Sequence, residues 1–447
     1  MAINQFEIKN CFDSHVHFLA TGQVANGLQL RDLKSVDDLS QVKILKNFFR
    51  DEWLIGFGWN HLNWTTSQLP NYKILDQYFP DIPVFFSRVD GHASWLNSVG
   101  LKKMKELGFN FDADIQGGVI DRDIHGNLTG LLFDQAHIKA LQLLPSFNEE
   151  QLFIHSKTSM SIFNQAGFTH VRDLSMTAEL ARVLFQIYEL DQQTLYIEAF
   201  VTVESVKDLD FGYSQLLKCR SYKNPRLKTK GLKIFIDGSL GSETAYISDF
   251  YNCSHFEKPH QGLLIWSKTD IQIAIEFCWQ HKIEIAIHAI GDAAIEIAVE
   301  QARIVSAKGS VGILNIEHAQ LLRRETIQKM KPLHIKCFMQ PCHWLSDKIW
   351  LDKKINSSTL FQNLFQWSAL SKNKINLYFG SDSPIEKPSV FENWKAMSDA
   401  SNHHIQPLSF PEFIQAHSHE NLKWGNCKTF FENEKVRAVY FDEKKII

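Results

Sequence analysis

Short runs in which nearly every position is apolar recur along this chain, and stretches with helical spacing separate them. The runs lie at 12–17, 167–173, 196–203, 232–237, 283–290, 313–319, 335–341 and 376–382. Runs that are apolar on both alternations suit parallel strands covered on both faces. The stretch from Asp292 places Ala294, Ile295, Ala298, Ala302 and Val305 on one helical face, with Asp292 suited to the first turn. The segments 270–280 and 149–166, the latter closed by Gly167, are further helices. Eight strands alternating with helices predict an α/β fold, a distorted (β/α)8 TIM barrel.

The stretch from about 20 to 150 does not fit one β/α unit. It holds strand candidates at 53–59 and 83–90 and turn signals at Leu69-Pro70-Asn71, Gly117-Gly118 and His125-Gly126-Asn127. It is expected to be an insertion, 20–149, covering the barrel mouth. The barrel then takes 11–19 and 150–422. The tail, 423–447, carries one more strand candidate at 436–441. No internal repeat stands out beyond the β/α alternation.

Composition removes several alternatives. Of the 447 residues, 44% are hydrophobic and 22% charged, which is not the composition of a disordered chain. No apolar window reaches the roughly 18 residues of a membrane span. Lys and Arg number 47 against 50 Asp and Glu, with no basic stripe, so neither nucleic acid nor an anionic membrane surface is expected as a partner. The cysteines, Cys11, Cys219, Cys253, Cys278, Cys337, Cys342 and Cys427, are odd in number and form no C-x-x-C pair. That argues against a disulfide framework or zinc ribbon and for a reducing compartment. The opening Met1-Ala-Ile-Asn-Gln-Phe-Glu lacks a secretory pattern, and the expected location is cytoplasmic.

The histidines suggest chemistry. His15 and His17 stand at i and i+2 in Asp13-Ser-His-Val-His, so on a strand both imidazoles face one side. His288, His318 and Asp382 each end a different predicted strand, and Lys233 lies within one. The C-terminal ends of barrel strands are where such folds keep their active sites. Two histidines in a strand, a hydrogen-bonded core histidine or a capping aspartate is the plain alternative for each taken alone; convergence at one barrel end favours a metal site. Lys233 is flanked by Leu232, Ile234, Phe235 and Ile236. A buried lysine is paired, here with Asp237 or another acid, or it is chemically changed. A neutral amine takes up carbon dioxide to give a carbamate, an anionic ligand able to bridge two cations.

The motifs Phe12-Asp-Ser-His-Val-His-Phe, Gly231-Leu-Lys-Ile-Phe-Ile-Asp-Gly-Ser-Leu-Gly-Ser, Ile287-His-Ala-Ile-Gly-Asp, Ile316-Glu-His-Ala-Gln, Met339-Gln-Pro-Cys-His and Phe379-Gly-Ser-Asp-Ser-Pro resemble, in order, those of the amidohydrolase superfamily. They are most similar to amidohydrolase family 3, the group around N-substituted formamide deformylase. Gly56-Phe-Gly-Trp, Arg88-Val-Asp-Gly-His and Gly118-Val-Ile-Asp-Arg-Asp in the insertion add to the likeness. The resemblance implies that His15, His17, His288, His318 and Asp382 surround one or two divalent ions. It makes Lys233 a bridging ligand, carbamylated if the site is binuclear. It sets Asp237 and His343 near the mouth, and Trp59, Arg88, Asp90 and His92 in the insertion, as substrate-side residues. Asp382 and His318 are the expected catalytic residues. A divalent ion with such ligands lowers the pKa of water to roughly 7, and Asp382 takes its proton and passes it to the leaving amine. Mixed imidazole and carboxylate ligation favours Zn2+, with Fe2+ or Mn2+ as alternatives. The expected reaction is hydrolysis of a non-peptide C–N bond, in an amide or cyclic amide of a small molecule.

Two departures stand beside this resemblance. Glu243 follows Ser242 where the family pattern carries arginine before Thr-Ala, reversing a charge near the mouth. The strands that usually build a small β-sandwich are reduced or missing, and a homodimer contact is one way to cover the surface so left. Ester, lactone or phosphotriester hydrolysis on the same metal site, or a catalytically silent metal-binding barrel, are the rival readings.

Overall fold

The computed structural model describes residues 5–66, 68–115, 117–252, 259–355 and 357–447; Cys253 and the first four residues lie outside them. The chain divides into two compact units, Met1–Thr21 with Leu152–Ile447, and Gly22–Gln151.

The first unit is a barrel of eight parallel strands: β1 (Phe12–Val16), β2 (His170–Asp173), β3 (Tyr196–Thr202), β4 (Leu227–Phe235), β5 (Glu284–Ala289), β6 (Leu314–His318), β7 (Ile335–Met339) and β8 (Asn376–Phe379). Each pairs with its sequence neighbour, and the ring closes where β8 runs on beside β1. Each strand overlaps one of the eight apolar runs, β4 beginning ahead of its run, at Leu227. Every residue of β1, β2 and β6 is buried, as expected of strands covered by side chains inside and helices outside. The helix Asp292–Ala307 turns Ala294, Ile295, Ala298, Ala302 and Val305 fully inward. The helix Glu149–Gln165 is followed by Gly167 at φ +94°, a left-handed position that glycine takes without steric cost.

Gln5–Lys9 and the tail build a four-stranded antiparallel sheet in the order Gln5–Lys9, Lys428–Glu432, Lys435–Phe441, Lys444–Lys445. Phe6 stacks on Phe431 at 4.8 Å and meets Phe391 and Phe410 edge-on. Only the strand at 436–441 is marked in the sequence. Gln5–Lys9 escapes notice because its one fully buried side chain is Ile8 and its partner lies at the far end of the chain.

The second unit is a mixed sheet in the order Leu28–Gln29, Trp53–Trp59, Val84–Arg88, Ala93–Leu96, Leu128–Asp134, Gly118–Arg122, with Phe49–Arg50 added beside Trp53. Consecutive residues serve opposite faces. Leu54, Phe86, Trp95 and Leu131 join one apolar cluster, while Trp53, Phe85, Leu96 and Leu132 join another. That is the alternation of a strand covered on both sides. Among the described residues no helix is long and apolar enough to cross a membrane.

Barrel closure leaves little room between β4 and β5. A Cβ on Gly231 would lie 1.7 Å from the Glu284 carbonyl oxygen, a backbone atom that moves only with the strand. Gly231→Ala is therefore expected to cost at least about 2 kcal/mol, read as a lower denaturant midpoint. An unchanged midpoint would show that the β4–β5 register is not as described.

Candidate metal centre

The C-terminal ends of the barrel strands bring the candidate ligands together. His15 is in β1 and His17 follows it; His288 lies in β5, His318 ends β6, and Asp382 follows β8. The seam between β8 and β1 sets their spacing. Asp382 N–H donates to the His15 carbonyl at 2.7 Å, and His17 N–H donates to the Ser383 carbonyl at 2.8 Å. The Asp13 carboxylate accepts from Ser381 N–H at 2.8 Å and from its hydroxyl at 2.7 Å. The seam is tight: a Cβ on Gly380 would meet the His15 nitrogen at 2.5 Å.

Two of these residues sit in a backbone conformation that side chains avoid. His318 has φ 72° and Asp382 φ 57°. Neither is glycine, so the left-handed turn costs of order 1–3 kcal/mol at each. It also breaks the strand alternation, which lets Glu317 and His318, adjacent in sequence, both engage histidines of this site.

Ligand atoms of His15, His318 and Asp382 all lie within 4.8 Å of one another, and all three residues are buried. His15 Nε2 is 3.3 Å and His17 Nε2 3.4 Å from Asp382 Oδ1. His343 Nε2 is 3.7 Å from Asp382 Oδ2. Hydrogen-bond logic assigns the ring protons. Glu317 Oε2 lies 2.6 Å from His15 Nδ1, and an ionised carboxylate only accepts, so Nδ1 carries the proton. Burial pushes the His15 pKa down, against Asp382 and Glu317, which push it up. The neutral ring then presents the Nε2 lone pair to the Asp382 carboxylate. Gln340 Nε2 donates to the Phe338 carbonyl at 3.2 Å, leaving Oε1 to accept from His318 Nδ1 at 2.9 Å. His318 Nε2 is thereby also a lone-pair donor.

Lone pairs facing one another at 3.3 Å repel unless a cation lies among them. Ligands about 2.1 Å from a tetrahedral zinc ion stand about 3.4 Å apart, so the spacing fits a divalent ion. The carboxylate is in the right state. Burial raises the Asp382 pKa, but His15, His17 and His343 overcome this and hold it below the usual carboxylate range. Burial, with His288 and His15 beside it, pushes His318 well below the usual imidazole range.

His288 adjoins this cluster, its ring centroid 4.4 Å from that of His318 and its Nε2 3.1 Å from the Gly238 carbonyl. Lys233 is fully buried, its Nζ lies 4.7 Å from the Phe235 ring centroid, and that nitrogen makes no hydrogen bond among the described residues. Burial lowers its pKa to about 8, with Glu317 opposing and Arg172 reinforcing the shift. Asp237 is fully buried and accepts from the backbone N–H groups of Tyr246, Ile290 and Gly291, with His288 Nε2 at 3.7 Å. It thus ties the turn after β4 to the turn after β5. Gln320 Nε2 lies 3.2 Å from His343 Nδ1. Glu243, at φ 61° and fully buried, accepts from Lys354 Nζ at 2.7 Å, so its charge is matched within the barrel unit.

Trp59, Arg88, Asp90 and His92 belong to the other unit. Trp59 is fully buried in its core and donates Nε1–H to the Phe86 carbonyl at 2.9 Å. Arg88 pairs with Asp90, and His92 Nδ1 lies 2.9 Å from Asp134. Among the residues around the site, Glu317, Gln340 and Arg172 were not singled out from the sequence. Glu317 and Gln340 stand inside the quoted motifs, next to histidine or proline, which was their only signal. Arg172 had none beyond being a charge in an apolar run.

The amidohydrolase family model matches residues 12–407. A putative amidohydrolase of Bacillus subtilis, YtcJ, is 29% identical over 382 residues, covering 84% of this chain and 69% of that protein. The N-substituted formamide deformylase of Arthrobacter pascens is 24% identical over 328 residues, 69% of this chain and 57% of its own length. The chain thus spans about two thirds or less of these relatives. The crystal structure of an uncharacterized metal-dependent hydrolase from Pyrococcus horikoshii superposes with a TM-score of 0.68 at 23% identity, covering 94% of this chain and 79% of that one.

If the lone-pair cluster is a metal centre, protein freed of metal by chelator is expected to take up about one to two zinc or cobalt ions per chain. His15→Ala and His318→Ala are each expected to weaken uptake by at least about a hundredfold. Equilibrium dialysis with elemental analysis reads this directly. No uptake by the unaltered chain would remove the metal assignment.

Proposed function

This chain belongs to the amidohydrolase family, and from that premise we propose that it hydrolyses a non-peptide carbon–nitrogen bond, in an amide or cyclic amide of a small molecule. The observation that carries the reading is the facing pair of His15 Nε2 and Asp382 Oδ1 at 3.3 Å. Zinc is the proposed ion, held by His15, His17, His318 and Asp382, with His288 and Lys233 completing a second position. A divalent ion there supplies a Lewis acid for the carbonyl and acidifies water. The remaining chemistry falls to side chains. Asp382, ionised among imidazoles, accepts a proton from the attacking water as its oxygen bonds to the carbonyl carbon. The same carboxyl group then gives that proton to nitrogen as the C–N bond breaks, leaving a carboxylic acid and an amine. His318 Nδ1 lies 2.9 Å from Gln340 Oε1 and 4.0 Å from Asp382 Oδ2, which fixes its ring beside that carboxylate. Lys233, buried without a hydrogen-bond partner among the described residues and with its pKa lowered to about 8, is the residue we assign to carbamate formation.

Asp382→Asn should lower kcat by about 10²–10⁴-fold in protein kept at saturating zinc, where metal content measured on the same sample matches that of the unaltered chain. Undiminished turnover would remove Asp382 as the proton carrier. A panel of formamides, N-acyl amino acids, cyclic amides, lactones and phosphotriesters identifies the bond. Turnover confined to the amides supports the proposal; turnover confined to lactones or phosphotriesters replaces it.

A further inference from the structure

Barrel interiors are filled mainly by branched apolar side chains. This one holds a charged pair instead. Arg172, on β2 and 1% exposed, donates to both oxygens of the fully buried Glu317 on β6, at 2.8 and 3.0 Å. Its guanidinium lies 4.3 Å from the Phe200 ring centroid and 3.8 Å from that of Phe338, contributed by β3 and β7. One of its nitrogens also approaches the Ser14 carbonyl at 3.4 Å, beside His15 on β1. A buried ion pair is poor currency for stability, because desolvation offsets most of the attraction. The Glu317 carboxylate has a further task, since its Oε2 accepts the His15 Nδ1 proton at 2.6 Å.

We propose that Arg172 is a positioning residue for the metal centre, acting through Glu317 on His15. The inference rests on the metal reading given above. Two parallel N–H donors fix the plane of the Glu317 carboxylate, as only a planar guanidinium fork does. The two phenyl rings fix the plane of the fork. With the carboxylate so held, Oε2 can meet only one edge of the His15 ring. The imidazole is then set in one orientation and one tautomer, with Nε2 toward Asp382. A hydrogen-bonded carboxylate behind a ligating imidazole also raises its basicity as a donor. Loss of Arg172 would leave Glu317 free to rotate or to recruit another donor, and His15 would lose its aim without losing its place in β1.

The test compares Arg172→Met, Arg172→Lys, Glu317→Gln and the Arg172→Met/Glu317→Gln pair with the unaltered full-length chain. Apparent Co2+ affinity by chelator competition, the Co2+ visible absorption spectrum and thermal unfolding without metal are measured on each. Arg172→Met and Glu317→Gln should each weaken Co2+ binding by about 10–100-fold and change the shape or intensity of the visible band. The double variant should bind within about threefold of the weaker single variant, because both act along one path. Arg172→Lys keeps the charge without the fork; it should show an intermediate loss with an altered band, and it carries the test if the methionine variant does not fold. Variants that lower only the unfolding temperature, with affinity and spectrum unchanged, would make Arg172 a packing residue and overturn the proposal. So would losses that multiply in the double variant. An unaltered chain that takes up no cobalt would instead bring down the metal reading itself.

Discussion

The seam where the eighth barrel strand meets the first is the constraint on which the site depends. His15 and His17 come from one end of the chain and Asp382 from the other, and no local propensity relates them. Two backbone hydrogen bonds, from Asp382 to His15 and from His17 to Ser383, set their relative height. The Asp13 carboxylate pins Ser381 by two further bonds, and Gly380 allows the backbones to approach. Closing a barrel demands such a seam somewhere. Here the residues at the seam are the candidate ligands, so barrel closure is what brings His15 and Asp382 together.

Polar groups buried without matched partners weigh against stability, and this barrel accepts several. His318 and Asp382 hold left-handed backbone conformations, Lys233 is fully buried with no hydrogen bond to its ammonium group among the described residues, and imidazole nitrogens face a carboxylate across about one ligand–ligand spacing. Each costs free energy in the protein alone. A cation among the donors changes their sign from repulsion to ligation. Around them the structure is conventional: Asp237 takes three backbone N–H groups, Asp13 satisfies the seam, and the Arg172 and Glu317 charges are matched at 2.8 Å. Burial raises the Glu317 pKa, but Arg172 and the His15 hydrogen bond overcome this and bring it down to about 2, so the carboxylate behind His15 is ionised. Lys233 Nζ and Asp382 Oδ1 are thus among the buried polar atoms that a bound ligand would relieve.

Much of this was legible in the sequence. Parallel strands covered on both faces read as unbroken apolar runs, so the eight strands appear at their places. Ligand candidates appear because polar residues ending such runs are conspicuous. The same property hides what lies inside the barrel. When both faces are buried, alternation does not say which residue of Leu314–His318 points inward. The positive φ at His318, which brings Glu317 and His318 to the same site, has no sequence signature in a non-glycine residue. Arg172 was invisible for a related reason: its partners Glu317 on β6 and Phe338 on β7 become neighbours only when the barrel closes. Gln5–Lys9 was missed because a strand with one buried residue needs its distant partner to be recognised. Within the second unit, Trp59 shows the limit of motif reasoning, since its indole is enclosed in that unit's own core and its N–H is used there.

The central claim is that barrel closure builds a cation site from His15, His318 and Asp382. Anomalous diffraction from crystals of the zinc-loaded protein, recorded on both sides of the zinc absorption edge, tests it most directly. The account predicts an anomalous peak within about 2.0–2.3 Å of His15 Nε2, a His318 nitrogen and an Asp382 carboxylate oxygen. A peak elsewhere on the chain, or none in crystals shown by analysis to contain zinc in the protein, would contradict it.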